Sequence, residues 1–323
     1  MTSVQRPGVP RGAGSATTRG RRHLRRIVPL VAFVAAVAGA ASLGVVAPAS
    51  TPAGASAVPS LVCHGSLAGQ PLNKPIVGIA NTPDQQGYWL VASDGGVFSF
   101  GDAGFYGSAG NLTLNKPVVG IASTTDGKGY WLVASDGGVF SYGDAGFYGS
   151  AGNIRLNKPV VGIASTTDGK GYWLVASDGG VFSYGDAGFY GSAGNIRLNE
   201  PAIGISRTAD GAGYWLAAAD AGVFSYGDAR YLGGGPISQD GGPIVTDFSS
   251  FAVADDFAGY TMASADGAYL LNFGTAKYQG LASPGTATVA GVTSPAAAAG
   301  YGYWEATSSG AVYTLTSSGQ AAC

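Results

Sequence analysis

From residue 72 onward, the apolar residues of this chain come in short runs, and each run is bounded by Gly, Asp, Asn or Pro. In the first part of this region, between positions 72 and 113, the runs are 75–80, 88–93, 96–101 and 105–108. They are rich in aromatic and β-branched residues and too short for helices, which predicts four β-strands.

Two features of these runs indicate how the strands are arranged. Asp94 and Gly95 lie between the second and third runs and supply the positive φ of a two-residue hairpin turn. Residues 88–92 (YWLVA) are apolar at both odd and even positions, so both faces of this strand are predicted to be covered. Small antiparallel sheets that are buried on both faces are typical of β-propeller blades.

The same pattern recurs at a constant interval along the chain, and the copies 114–155 and 156–197 are identical. Full copies begin at positions 72, 114, 156 and 198, and two diverged copies follow. Residues 64–66 match the end of a copy, whereas the last copy loses its fourth strand near 317–319. We therefore predict an all-β fold, a six-bladed β-propeller of four-stranded antiparallel blades whose last blade is shared by the N- and C-terminal segments. A seven-bladed ring is also compatible with the pattern.

The two cysteines favour a ring over an open stack of repeats. Cys63 lies near the start of the repeat region, and Cys323 is the last residue. A shared last blade would bring them together, and an even pair of cysteines in an oxidising compartment is typically a disulfide. We predict that a disulfide between Cys63 and Cys323 closes the ring, whereas an open solenoid gives its two ends no reason to meet.

The first 57 residues have the pattern of an export signal. They hold seven arginines and no acidic residue, and the apolar run 27–47 is followed by a Pro/Ala/Ser-rich segment. This arrangement predicts a signal peptide cleaved after Ala57, although the run is long enough to remain as a membrane anchor. We predict domains at 1–57 (signal or anchor with a short linker) and 58–323 (propeller), and a secreted or cell-surface location.

The repeat region is acidic. Seven of the seventeen basic residues lie in the first 57, so the remainder holds ten basic and nineteen acidic residues, a net charge of −9. Such a surface repels nucleic acid and anionic lipid, so we expect neither as a partner, and no membrane contact beyond the N-terminal segment. We expect a monomer.

The motif GYWLVASDGGVFSFGDAGFYGS in the first copy resembles repeats of secreted actinobacterial proteins, which occur alone or beside cell-wall-degrading domains. Its strand-turn-strand pattern is also similar in style to Kelch and PQQ propeller repeats. The resemblance covers about 250 residues. It implies a propeller at the cell envelope, but it carries no catalytic or cofactor residue with it, because propellers host many functions.

Two sets of repeated side chains are candidate ligand-binding residues. Tyrosines of the predicted fourth strand could present their rings to a glycan; they are Tyr106, Tyr148 and Tyr190. Aspartates of the hairpin turns offer oxygen ligands, although Asp before Gly is also ordinary turn chemistry; they are Asp94, Asp136 and Asp178. Because the spacings of known calcium loops are absent, we predict no metal site and no cofactor.

The pattern favours a non-enzymatic binding or scaffold protein for a cell-wall glycan or an envelope protein, because near-equivalent sites raise the avidity for a repeating ligand. Two alternatives stay open. One is a polysaccharide-active enzyme at the channel mouth whose carboxylates come from the diverged copies, namely Asp220, Asp255, Asp256 or Glu305. The other is a structural surface module with no ligand. No catalytic residue is assigned, since the only histidines are His23 and His64.

Overall fold

The computed structural model describes residues 61–235, 247–254, 257–276, 288–293, 302–316 and 319–323. The predicted signal or anchor and the predicted boundary after residue 57 lie outside these ranges. Within them every regular element is a β-strand, and none is a helix long and apolar enough to cross a bilayer. The strands are β1 Ile76–Asn81, β2 Gly87–Ala92, β3 Val97–Gly101, β4 Val118–Ser123, β5 Gly129–Ala134, β6 Val139–Gly143, β7 Val160–Ser165, β8 Gly171–Ala176, β9 Val181–Gly185, β10 Ala202–Arg207, β11 Gly213–Ala218, β12 Val223–Gly227, β13 Phe248–Val253, β14 Gly259–Ser264, β15 Leu270–Gly274, β16 Val289–Thr293, β17 Gly302–Thr307, β18 Val312–Thr316 and β19 Gly319–Ala322.

The described strands form six antiparallel sheets, one for each copy of the repeat. The first five contain three strands each in chain order, from β1-β2-β3 to β13-β14-β15, and the sixth is β16-β17-β18-β19. The hairpin predicted at Asp94 is present, and Gly95 has the positive φ of 84° that the turn requires. A side chain at Gly95 would also meet the Cβ of Ala109 at 2.5 Å, so the turn and the segment after β3 pack closely.

The middle strand of every sheet is buried along its whole length, as its apolar residues of both parities predict. One face packs on the preceding sheet and the other on the following sheet. Trp89, for example, shares a buried cluster with Tyr130 and Leu132 of the next sheet, and the rings of Trp89 and Tyr130 lie 5.6 Å apart. The five tryptophans are therefore inter-sheet packing residues.

The first strands of the six sheets contact one another in cyclic order. Strand β1 lies against β4, and this neighbour relation continues through β7, β10 and β13 to β16. Strand β16 in turn lies against β1, so the last sheet packs on the first. The buried cluster at this junction contains Tyr88 and Leu90 of the first sheet with Trp304 and Ala306 of the sixth.

The predicted fourth strand is not paired with its own sheet in the first four sheets. After β3 the chain instead crosses toward the next sheet, and we call residues 103–109 and their equivalents the crossing segment. The hydroxyl of Tyr130 in the next sheet accepts a hydrogen bond from the backbone N–H of Tyr106 and donates one of 2.5 Å to the carbonyl of Gly107. The tyrosine thus bonds backbone groups that a fourth strand would have used, which is why the four-stranded blade was wrongly predicted here.

The fourth strand of the sixth sheet also differs from the prediction. It comes from the C-terminus, as β19, and not from the N-terminal segment. The N-terminal segment instead takes the place of a crossing segment: Val62 accepts a hydrogen bond from Trp304 Nε1, as Gly104 does from Trp89 Nε1. Gly65 likewise accepts a hydrogen bond from the Tyr88 hydroxyl.

The two ends of the described chain meet, as the sequence predicts. Cys63 and Cys323 form a disulfide between residues 260 positions apart, with their Cα atoms 5.4 Å from each other. The disulfide joins the N-terminal segment to the end of β19.

The inter-sheet tyrosine hydroxyls can be tested with Tyr130→Phe. This change leaves the N–H of Tyr106 and the carbonyl of Gly107 without their partner, so we expect a loss of about 1–3 kcal/mol in the free energy of unfolding. Burial raises the pKa of Tyr130, so the hydroxyl stays protonated and the loss should be the same between pH 6 and 9. Denaturant titration measures it. Tyr142→Phe is the matched control, because Phe100 occupies that position in the first copy and the change should be almost neutral.

The disulfide can be tested with the double variant Cys63→Ser and Cys323→Ser. Because the bond closes a span of 260 residues, the loop-entropy relation predicts a loss on the order of 5 kcal/mol. Thermal unfolding with and without reductant measures the effect, and reductant should lower the melting temperature of the wild type and leave the double variant unchanged. Equal melting of the oxidised wild type and the double variant would contradict a stabilising disulfide.

Candidate functional site

The first strands of the six sheets surround one cavity of about 640 Å³. Its lining alternates apolar residues with hydroxyl and amide groups at the ends of the strands, such as Asn81, Ser123 and Ser165. Two of these groups link neighbouring sheets, because Ser123 Oγ donates to the carbonyl of Asn81 and Ser165 Oγ donates to that of Ser123, each at 3.3 Å. The cavity wall is thus partly polar, and hydrogen bonds between neighbouring sheets hold it.

Arg207 is the one charged residue among the described residues that line this cavity. Its Nη1 donates to the carbonyls of Thr208 and Ala209 at 3.0 and 3.3 Å, and its guanidinium lies 5.5 Å from the centre of the Phe257 ring. Burial lowers the pKa of Arg207. Asp255 and Asp256, which the enzyme alternative names, directly precede Phe257 and lie outside the described residues.

The tyrosines predicted to bind a ligand contribute to the contact between sheets. The hydroxyls of Tyr106, Tyr148 and Tyr190 donate to glycine carbonyls in the loop between the first two strands of the next sheet, at 3.0, 3.0 and 2.9 Å. Tyr106 also packs against the first buried cluster, whereas Tyr190 is 37% exposed. Their use as ligand-binding residues stays a prediction, but their hydroxyl protons are already engaged.

The residues one position earlier are the exposed ones. Phe105, Phe147 and Phe189 have 62–63% of their surface exposed, and Tyr231, at the equivalent position of the next repeat, has 57% exposed. We call these four residues the rim aromatics. Sequence reasoning missed them because it assigned binding to the second aromatic of each Phe-Tyr pair. The signal was present, since neighbouring residues of an extended segment point in opposite directions and only one of them can pack inward.

The predicted aspartates cap their own hairpin turns. Asp94 Oδ1 accepts a hydrogen bond of 3.0 Å from the N–H of Gly96, and the same bond recurs at 3.0 Å for Asp136 and at 3.1 Å for Asp178. This is the turn chemistry that the sequence offered as the alternative to ligand binding. In the part of the chain that the structure describes, no three His, Cys, Asp or Glu side chains come together in a metal-binding cluster.

A carboxylate pair that the sequence analysis did not identify occurs in the loop between β1 and β2. The Thr82 hydroxyl lies 2.9 Å from Asp84 Oδ1 and 3.2 Å from Asp102 Oδ1. The hydrogen bond from Thr82 lowers the pKa of Asp84, whereas burial, and then Asp84 itself, raise the pKa of Asp102. Asp84 Oδ1 also accepts from the N–H of Gln86, so this pair organises an exposed loop.

The two other acidic residues of the enzyme alternative do not line the cavity. Asp220 Oδ1 caps a turn by accepting from the N–H of Gly222 at 3.0 Å. Glu305 is only 1% exposed, in the place that Leu90 has in the first sheet, and its Oε1 has no hydrogen-bond partner among the described residues. Burial raises the pKa of Glu305 to about 7.

The contact between the fifth and sixth sheets is more polar than the contact between the first and second. Thr261 stands where the first sheet has Trp89, and its hydroxyl donates to Asn272 Oδ1 at 2.6 Å. Ser250 Oγ and Asn272 Nδ2 are buried without a hydrogen-bond partner in the described ranges. By the repeat register, Glu305 belongs to this same contact, because its equivalent Leu132 packs with Trp89 of the preceding sheet. The diverged copies thus replace apolar packing with buried polar groups.

No protein-family model matches the sequence, and no curated protein matches it. Among solved structures, a Bacteroides thetaiotaomicron protein of unknown function is 15% identical with a TM-score of 0.52, covering 80% of this chain and 73% of its own. The WD40 repeats of RRP9 are 12% identical with a TM-score of 0.49 and cover 80% of each chain. The β-propeller domain of Cps50 (Swd1) from Myceliophteria thermophila is 8% identical with a TM-score of 0.47, covering 75% of this chain and 82% of that one. The similarity to the Bacteroides protein is one of fold.

The buried carboxyl of Glu305 makes stability depend on pH. The ordinary pKa of the group is 4.5 and the folded value is about 7, so between these values the folded chain keeps a proton that the unfolded chain has released. The contribution of this group to stability therefore falls as the pH rises through this window, by a total of about 3 kcal/mol.

We expect Glu305→Leu, which restores the residue of the first sheet, to remove this dependence and to be the more stable chain above pH 7. Denaturant titrations from pH 4.5 to 8 measure the difference in the free energy of unfolding between variant and wild type. The contributions of the other carboxylates cancel in this difference, because both chains contain them. Glu305→Gln is the control for charge at similar size and should also lose the dependence. A constant difference between wild type and both variants across this range would contradict a raised pKa.

Proposed function

We propose that the chain is an exported, closed six-bladed β-propeller that acts as a non-enzymatic binding scaffold at the cell envelope. The cyclic contacts of the six first strands and the packing of the last sheet on the first support closure. The export pattern of the first 57 residues and the disulfide support an extracellular location, where disulfides persist.

The series of rim aromatics is the observation that carries a binding role. Large aromatic side chains more than half exposed are costly to hydrate, and here they recur at the same position of four consecutive repeats. Two of the repeats are identical in sequence, so the surroundings of Phe147 and Phe189 are nearly the same. Equivalent sites of this kind raise the avidity for a partner that itself repeats or that spans several sites, whereas a single catalytic site gains nothing from duplication.

The partner that fits this surface is a protein or a glycan polymer of the envelope. The acidic surface disfavours nucleic acid and anionic lipid. A repeated series of exposed aromatic rings suits the apolar face of sugar rings as well as apolar side chains of a protein. The experiment therefore has to separate these two sources.

The rim aromatics can be tested in the mature chain, residues 58–323, by co-sedimentation with isolated actinobacterial envelopes. We expect the wild type to sediment with the envelopes. The quadruple variant Phe105→Ser, Phe147→Ser, Phe189→Ser and Tyr231→Ser should lose binding by on the order of 100-fold, because four equivalent contacts are removed together. Leu112→Ser, Ile154→Ser and Ile196→Ser form the matched control, since these apolar residues are also about half exposed and recur with the same period.

Protease treatment of the envelopes identifies the class of partner. Binding that disappears after treatment assigns a protein, and binding that persists on purified peptidoglycan assigns a glycan. No retention of the wild type on either preparation, or equal retention of the quadruple variant, would refute a binding role for the rim.

A further inference from the structure

The sixth sheet carries a strand that the first four sheets lack. Strand β19 adds to the outer edge of β18 in antiparallel register, with Tyr313 opposite Ala322 and Thr316 opposite Gly319. The N–H of Cys323 extends this ladder by donating to the carbonyl of Val312 at 2.8 Å. The outer edge of a sheet in this protein can therefore accept an extended segment.

Within the described ranges, the outer strands of the first four sheets, β3, β6, β9 and β12, have a neighbouring strand on one side only. The crossing segment adds no strand on the other side, since its bonds to its own sheet are those from Trp89 Nε1 to the carbonyl of Gly104 and from the N–H of Ala109 to the carbonyl of Gly95 in the hairpin turn. In the sixth sheet the N-terminal segment occupies the crossing position while β19 occupies the edge. The two positions are thus compatible, and the first four sheets use only one of them.

The repeat register places a rim aromatic beside each of these edges. Cys63 lies one repeat length before Phe105, so the two residues occupy the same slot of the crossing segment. The side chain of Cys63 reaches the end of β19, where it is bonded to Cys323. A ring in this slot is therefore next to the last residue of any strand that adds as β19 does.

We propose that the outer edges of β3, β6, β9 and β12 bind an extended segment of a partner protein by antiparallel strand addition. Backbone hydrogen bonds hold the segment, and an apolar side chain at its end packs on the rim aromatic. The segment resembles β19, whose sequence is GQAA and which has a small residue at three of its four positions. This inference rests on the proposed function and assigns a peptide as the ligand of the rim.

Disulfide trapping tests the geometry directly. The variant Phe105→Cys places a thiol where Cys63 stands in the sixth sheet, and the probe is the peptide SSGQAAC, the sequence of residues 317–323. In a glutathione redox buffer we expect mixed disulfide with this peptide to form at least ten-fold more than with the peptide SSPQPAC. Its prolines replace residues 319 and 321, whose N–H groups face β18 because they alternate with the N–H of Cys323 that donates to Val312. Leu112→Cys is the control for an exposed thiol away from the edge and should not distinguish the two peptides.

Digestion and mass spectrometry locate the trapped peptide, and amide exchange in Val97–Gly101 of the wild type should slow when the peptide SSGQAAC is added. Equal trapping of both peptides at Phe105→Cys overturns the proposal. Without peptide, Phe105→Cys could form a disulfide-linked dimer in larger amount than Leu112→Cys. That result overturns the proposal and assigns a second copy of this chain as the occupant of the edge. If trapping fails while the wild type still binds envelopes, strand addition alone is refuted. If the wild type does not bind envelopes, the proposed function is refuted.

Discussion

The burial of each middle strand on both faces is the constraint from which the architecture follows. A sheet of three short strands cannot cover both faces of its own centre, so it needs a neighbour on either side. The tryptophan and tyrosine of successive sheets meet this need, with Trp89 and Tyr130 as one example. A row of such sheets leaves two uncovered faces, and the packing of Trp304 on Tyr88 covers both of them at once.

The same constraint explains which strands of the described sheets keep an unpaired edge. The tyrosine hydroxyl of the next sheet bonds the backbone of the crossing segment, and this segment adds no strand to its own sheet, so the outer strand stays an edge. Exposed edges are usually protected in β-proteins, and here the strands are short, with five residues each. The register with Cys63 puts the rim aromatics beside these edges, and the residue that follows each of them packs toward the next sheet.

The sequence was sufficient for the strands and their order but not for the hydrogen bonds of the fourth run. Composition and turn residues identify β2 and β3, and the constant repeat length and the two cysteines indicate that the ends meet. The partner of the run around Tyr106 is a side-chain hydroxyl in another repeat, which no local pattern reveals. Glu305 was identified as an acidic residue, but its burial follows from its register with Leu90, which only an alignment of the diverged copies could suggest.

The hydrogen bond between Trp304 and Val62 spans 242 positions, and it sets the order in which this protein can assemble. The internal sheets can form independently of the chain ends, because each needs only its sequence neighbours. The N-terminal segment has to wait for the final residues of the chain before it finds its place. The contact between the two most distant segments is thus the last to form, and a change at the C-terminus also affects the position of the N-terminal segment.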